Sequence, residues 1–509
     1  MKVYKLSHWV KILVWFIFAA TIVKILSLVK LPVENSHIHG LPANKISADP
    51  ASRRAEHAPM SLPNEPLALK HLLDGNAQKN WSLDGDCAPY PRHKDLHIEN
   101  VHYQFTVGGN VSYYLFAAYY DRRHAVEYAP SIAILAMLSS IPGPFEQAYC
   151  QVWYEDSDTP DIVEMQIQKI AWYDVWGSEP DQVYPVLLNC PLQDSPRSYR
   201  VPQLVSLVFT DRCARATNAL RVVYEAPQRK HATRFAVCVK DLQFPTMDMS
   251  VRWVEWLELM RLLGAERVTA YDLGGDSLLP NTRRTLKHYV QHDGFLQLRA
   301  HTLLEGHPKP AINVGLCKRL NEVLMYIDCF YRNMYEFDYV AIIDVDEVIM
   351  PLGELHTWPQ LVQHLERNST LPMDAIYRYE CKARASYCFR NVYFPKSLPI
   401  DETPPNHFYM LRHVRRVADH LNPNSAIKCL HSTHFVTAVH NHFPMSWRTA
   451  CGPYDVPTSI AQLQHYREPD DKTTLEQPTP LRDDNIWRFK EQLITNALAK
   501  HRELGWSIP

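Results

Sequence analysis

Three textures of apolar and polar residues follow one another along the chain. Trp9 to Val29 is dominated by apolar side chains, with Lys11 and Lys24 near its two ends. The uninterrupted run Ile12 to Val23 is shorter than a bilayer core of about 30 Å requires, and lysines that snorkel to the interface extend it. Lys2, Lys5 and Lys11 make the N-terminal flank basic, which favours keeping that end in the cytosol. The pattern predicts a cytosolic tail at 1–8 and a signal anchor at 9–29. A signal peptide cut near Ala19 and Ala20 is the competing reading. Residues 30–94, rich in Pro, Ser, Asn and His without sustained periodicity, read as a stem.

From 95 to 230 the texture changes to short aromatic or β-branched runs separated by turn residues, such as VSYYLFAAYYD (Val111–Asp121) and IAILAML (Ile132–Leu138). That spacing predicts a mainly antiparallel β module, a scaffold or an acceptor-binding unit. After 230, strand and helix patterns alternate. Strands are expected at Phe235–Val239, Arg267–Tyr271, Phe295–Arg299 and Tyr339–Ile343, with helices at Ser250–Leu263, Thr282–His292 and Leu316–Tyr335. Such alternation builds a mostly parallel α/β sheet with right-handed crossovers. Further strands near Ala375–Tyr379, Val392–Phe394 and Ile427–Val439 make the sheet mixed, over a domain at 231–480, and a helix closes the chain within 481–509.

The apolar run Tyr339–Ile343 ends abruptly in Asp344, Asp346 and Glu347. In an extended chain, side chains two residues apart point to the same side. Paired carboxylates at the C-terminal edge of such a strand lie where open α/β sheets bind ligands, and their oxygens suit Mg²⁺ or Mn²⁺ shared with a diphosphate. Composition narrows the alternatives. With 46% hydrophobic and 21% charged residues the chain is globular, and a formal charge of -2 gives no reason to propose nucleic acid. Its 16 glycines form neither a dinucleotide fingerprint nor a Walker loop. The 11 cysteines include no C-x-x-C pair, so disulfides in an oxidising compartment are expected, with at least one thiol left over. Three sequons, at Asn80, Asn110 and Asn368, are compatible with passage through the secretory pathway.

The segment FDYVAIIDVDEVIMP (Phe337–Pro351) resembles the Asp-x-Asp segment of glycosyltransferase family 92. Upstream, IDCFYRN (Ile327–Asn333) is similar to that family's Asp-Cys helix, and QHYR (Gln464–Arg467) to a His-Tyr-Arg element near the end of its domains. The resemblance covers about residues 231–480 and implies a GT-A-like α/β fold. It also implies a Golgi type II membrane enzyme that moves a hexose, galactose from UDP-galactose, to a glycan acceptor, with inversion to a β-linkage. Asp344 and Asp346 would hold Mn²⁺ or Mg²⁺, with one of His440 and His465 as a further ligand. Glu347 is a partner to that site or a turn cap. Arg467 meets the diphosphate or makes a surface ion pair. Asp272 binds the nucleoside or caps a turn; Asp328 and Arg332, four apart on one helix face, bind the donor or pair with each other. The catalytic base is unassigned, with Glu380, Asp401 and Glu402 as carboxylates downstream of the metal motif. The insert KSLPIDETPPNHF (Lys396–Phe408) departs from the family pattern where acceptor contacts would fall. Two rivals stand beside this reading: a catalytically inactive glycan-binding protein of the secretory pathway, and a metal-dependent phosphohydrolase, which needs a denser His/Asp cluster.

Overall fold

Alternate residues of one strand enter two different cores, and this organises the molecule. The computed structural model describes residues 87–88, 102–123, 129–155, 157, 159–173, 176, 179, 182–226, 232–304, 316–367, 384–449, 451–471 and 479–506. All of them belong to one compact unit, Pro66–Pro509. The expected anchor at 9–29, nearly all of the stem, Glu380 and the expected strand at 375–379 lie outside the described residues. Among the described residues no helix is long and apolar enough to cross a membrane.

The N-terminal module contains β1 (Gln104–Gly108), β2 (Val111–Asp121), β3 (Ser131–Leu138), β4 (Ala148–Trp153), β5 (Asp161–Glu164), β6 (Gln166–Ile170), β7 (Tyr184–Pro191), β8 (Leu204–Phe209) and β9 (Leu220–Val223). They form one sheet in the order β5-β4-β8-β9-β2-β3-β7-β6, with β1 added to β2. Every pairing is antiparallel except β2 with β9. In β3, Ile132, Ile134, Ala136 and Leu138 pack inside the module with Cys150, Val205 and Leu207. Ala133, Leu135 and Met137 face the other way and join a core shared with the second domain. Period-two alternation with both faces apolar makes this module a platform for that domain.

The second domain carries β10 (Phe235–Leu242), α1 (Ser250–Leu263), β11 (Ala265–Asp272), α2 (Pro280–His292), β12 (Leu296–Ala300), α3 (Leu316–Asn333), β13 (Tyr339–Ile342), β14 (Glu347–Pro351), α4 (Trp358–Arg367), β15 (Ser386–Phe389), β16 (Asn391–Tyr393), α5 (Tyr409–Arg412), β17 (Arg415–Arg416), β18 (Lys428–Ser432), β19 (Val436–Val439), β20 (Pro444–Trp447), β21 (Pro453–Asp455), β22 (Ala461–His465), β23 (Leu481–Arg482) and α6 (Lys490–Glu503). Its main sheet runs β12-β11-β10-β13-β18-β15-β21. Strands β10 to β13 are parallel, and β18 returns antiparallel on β13. The expected single strand at 427–439 is two strands, β18 and β19, which belong to different sheets. Helix α1 stops where expected because Gly264 takes a left-handed φ of 105° and its N–H bonds Arg261 and Met260 carbonyls.

Every residue of α3 from Leu320 to Tyr331 is buried, as befits a helix held between two layers. It packs on Leu135, Leu187 and Tyr119 of the module and on Ala236, Val340 and Ile342 of the main sheet. The Cys238–Cys329 disulfide ties it to β10. Cys87–Cys213, Cys150–Cys190 and Cys388–Cys429 are also bonded, and Cys317 is a free, buried thiol. Leu493, Ala497 and Leu504 of the C-terminal segment share a core with α1 and the outer face of the main sheet, so 481–506 packs as part of this domain.

Candidate functional site

The acidic segment after β13 is held at both ends before any ligand is considered. Ile343 N–H bonds the Cys238 carbonyl at 3.2 Å, which keeps the chain on β10. Glu347 N–H donates to the Asp344 carbonyl at 3.0 Å, and Asp344 N–H donates to Glu347 Oε2 at 2.8 Å. Asp344 and Asp346 therefore flank buried Val345 in a tight turn, which corrects the expectation of an extended chain: the returning bonds from Glu347 close the loop. Downstream, the indoles of Trp256 and Trp358 donate to the Glu347 and Ile349 carbonyls at 3.0 and 2.9 Å and fix β14.

β14 then pairs antiparallel with β22 in a separate three-stranded sheet, in a register that sets Glu347 opposite His465. Tyr466 N–H donates to the Asp346 carbonyl at 2.8 Å, so the Gln-His-Tyr-Arg strand is laced directly to the acidic turn. His465 Nε2 lies 3.8 Å from both Asp346 Oδ2 and Glu347 Oε1. On its other side, the Asn391 amide donates to His465 Nδ1 at 3.0 Å, and Tyr393 stacks on the ring at 5.2 Å.

Two lysines complete the cluster. Lys240 Nζ, at the C-terminal end of β10, is 3.2 Å from Asp344 Oδ2 and 3.4 Å from Glu322 Oε1 on α3. Lys428 Nζ, fully buried at the start of β18, is 3.0 Å from Glu347 Oε2 and 3.9 Å from Asp344 Oδ2, and it also donates to Asn441. Burial alone would raise the Asp344 carboxyl, but these two ammonium groups outweigh it and hold it well below the usual carboxylate range. For Glu347 burial wins over Lys428 and His465, and its carboxyl is pushed up. Burial opposes ionisation of Asp346 as well, but the His465 ring lowers it. The Asp346 side chain remains 30% exposed, and the His465 imidazole stands 3.8 Å from it, beyond hydrogen-bonding distance.

A divalent ion needs oxygen or nitrogen donors with free lone pairs, and part of this set supplies them. An ion about 2.1 Å from each ligand fits between Asp346 Oδ2 and His465 Nε2, and turning the Asn391 amide so that Oδ1 accepts from Nδ1–H leaves Nε2 with a free lone pair. One oxygen of Asp344, Oδ2, is paired with Lys240. Among the described residues no group of three or more His, Cys, Asp and Glu gathers to hold an ion by itself. The residues thus fit an ion that takes its remaining ligands from water and a bound phosphate, a common arrangement for Mg²⁺.

The remaining residues singled out from the sequence fall elsewhere. His440 packs between Trp176 and Phe443 at 4.9 and 4.8 Å, and burial pushes its imidazole down to about 4. Asp272 caps a turn, accepting from Gly274 N–H at 2.9 Å and Ser277 Oγ at 3.0 Å and pairing with Arg283. Asp328 and Arg332 pair with each other at 2.9 Å, and Tyr271 Oη at 2.5 Å and Tyr119 Oη also donate to Asp328. Arg467 makes an exposed ion pair with Asp470. Asp401 accepts from Thr403 and from Arg482, which hold it at about 2, and Glu402 lies exposed beside it.

Sequence reasoning missed Lys240, Asp241, Glu322, Asn391 and Lys428. A signal existed for the first two: FAVCVKD ends an apolar run in charged residues just as VAIIDVD does. Asp241 is 5% exposed with neither carboxylate oxygen hydrogen-bonded among the described residues, and burial together with nearby Glu322 pushes it up to about 6. A buried carboxylate of that kind is a group waiting for a partner.

A family model described as glycosyltransferase family 92 matches residues 233–501. No curated protein matches the chain. Among solved structures, "WbbM bifunctional glycosytransferase apo structure" is similar at 10% identity and a TM-score of 0.18, over 36% of this chain and 26% of that one. A likeness that slight decides nothing about fold or function.

Proposed function

The chain belongs to glycosyltransferase family 92, and from that premise we propose that it transfers a hexose, galactose from UDP-galactose, to a glycan acceptor with inversion, with Mn²⁺ or Mg²⁺ as cofactor. The observation that carries the metal-dependent reading is the β14–β22 register, which sets His465 beside the open carboxylate of Asp346 at the C-terminal edge of the parallel strands.

Three carboxylates, Asp344, Asp346 and Glu347, face two ammonium groups, Lys240 and Lys428, so a diphosphate would meet uncancelled negative charge. Asp346 and His465 would hold the cation, which supplies positive charge to the leaving diphosphate. Lys240 keeps Asp344 ionised and in place, and its own position at the C-terminal end of β10 offers a second cation for phosphate oxygens. Asp241, at the same sheet edge, is placed to accept from nucleoside hydroxyls. Asp401, held low by Thr403 and Arg482, gains nothing from taking a proton at neutral pH, so the base that activates the acceptor is sought elsewhere. The four disulfides paired among the described residues support an oxidising lumen, and with the apolar segment 9–29 we place the enzyme in the Golgi membrane as a type II protein.

The test is UDP release by the detergent-solubilised full chain with UDP-galactose and a mixed glycan acceptor pool, with and without Mn²⁺. Acceptor-stimulated, Mn²⁺-dependent release is expected. A folded wild-type chain that binds neither UDP nor Mn²⁺ would instead point to the inactive glycan-binding reading.

A further inference from the structure

The sequon Asn110-Val111-Ser112 takes no part in the acidic site, and the fold gives it a definite setting. It sits at the tip of the β1–β2 hairpin, where the pair Gly108–Val111 closes a two-residue turn of Gly109 and Asn110. Gly109 takes the first central position with φ 58°, a conformation that costs glycine little, and this leaves Asn110 on the outside of the turn. Asn110 is exposed, and its side-chain amide makes no hydrogen bond among the described residues. Val111, by contrast, is 2% exposed and anchors the hairpin in the module core. The acceptor amide thus projects from a rigid base into open space.

Beside it lies apolar surface that the sheet leaves uncovered. β1 pairs with β2 through one edge, and its outward face carries Phe105 and Val107, 53% and 48% exposed. Ser112 lies opposite Val107 and Tyr114 opposite Phe105, whose ring contacts Tyr114 at 5.3 Å, so these side chains share one face. An edge strand with exposed apolar side chains is a site for pairing with another chain unless something blunts it. A bulky, hydrated group at the hairpin tip would do so.

We infer that Asn110 is N-glycosylated and that its glycan shields the outer face of β1. The inference rests on the luminal placement proposed for the enzyme. The co-reactant is an oligosaccharide carried on a lipid diphosphate. The Asn110 side-chain nitrogen forms a bond to the anomeric carbon, the bond from that carbon to the diphosphate oxygen breaks, and the amide gives up one proton as the lipid diphosphate leaves.

The test uses the full chain made in a eukaryotic secretory host and treated with a peptide N-glycanase in ¹⁸O water, which marks each occupied asparagine as labelled aspartate. The Asn110 peptide is expected to carry the label. Asn110→Gln and Ser112→Ala should each remove one glycan's mobility shift, whereas Ser112→Thr keeps it. An unlabelled Asn110 peptide overturns the inference, most sharply if Asn80 or Asn368 is labelled in the same preparation, because the chain has then met the glycosylating machinery. For shielding, Asn110→Gln should self-associate more than wild type, with the excess removed by adding Phe105→Ser and Val107→Ser; equal self-association of wild type and Asn110→Gln overturns that half. UDP-galactose turnover, assayed on the same samples, separates this outcome from failure of the proposed reaction.

Discussion

Asp328 and Asp346 are both acidic residues in the same domain, each near cations and aromatic rings, yet they are opposites in hydrogen bonding. Asp328 is 1% exposed, and its two oxygens take Arg332, Tyr119 and Tyr271, with Arg299 3.9 Å away. Burial would raise its carboxyl, but Arg332 and Arg299 outweigh that and lower it. Asp346 keeps 30% of its side chain exposed and, among the described residues, has only His465 beside it, at 3.8 Å. A buried charge with every lone pair used is part of the frame. One held in place by its backbone but left short of partners is positioned for something that arrives later. Because Tyr119 comes from the β module and Asp328 from α3, the closed site also fastens the platform to the helix beneath the open one.

The contrast is broken most forcefully at the closed site. Asp328→Ala strands a buried Arg332 and two tyrosine hydroxyls, and should cost about 3–5 kcal/mol in chemical denaturation. Its pH signature has a definite sign. A carboxyl lowered in the folded state contributes stability above its unfolded value of about 3.9 and loses it as pH falls through that value and below. Thermal melts of Asp328→Asn should therefore show a shallower acid limb than wild type. If Asp328→Ala instead melts like wild type, the frame role is wrong.

At the open site the effect moves from stability to rate. Asp346→Ala should keep the wild-type melting temperature but lower kcat by about 10²–10³-fold, the size seen when one charge-stabilising group is removed, whereas His465→Ala should lower kcat as far and also cost stability, because it removes a buried ring stacked on Tyr393. A fall in stability in Asp346→Ala equal to that in Asp328→Ala would erase the distinction between the two carboxylates.

Asp241 sharpens the comparison because it is buried like Asp328 yet unpartnered. Its folded value of about 6 lies above the unfolded one, so its ionisation destabilises the fold progressively as pH rises through that window. Asp241→Asn should raise the melting temperature at pH 7–8, by a gain of at most about 3 kcal/mol that fades below pH of about 4. The same variant should bind UDP more weakly. Arg467→Ala sets the lower bound: breaking an exposed ion pair changes stability by about 1 kcal/mol or less, and a large loss of turnover there would reinstate it as a diphosphate ligand.

Much of the frame was legible in the residue pattern because its signals are local. Helix α1 was read at its observed ends from periodicity and Gly264, and β13 from a β-branched run broken by acid. Asp328 and Arg332 on one helix face left two readings open, and the pair at 2.9 Å is what the structure displays. The partners Tyr119 and Tyr271 lie too far away in sequence for any periodicity to announce them. The same limit explains the histidines. His440 and His465 both end short strand-like runs, and only the β14–β22 register separates one beside the acidic turn from one packed among aromatic rings. Strand register between distant segments is set by pairing, which no local window contains.

In the proposed reaction Asp346 holds the cation, and titration of Mn²⁺ into the full chain with saturating UDP, followed by calorimetry, tests that most directly. Wild type and Asp328→Asn should take up Mn²⁺ with UDP, while Asp346→Ala, still folded, should lose that uptake. Unchanged Mn²⁺ uptake in Asp346→Ala, or none in wild type, would contradict it.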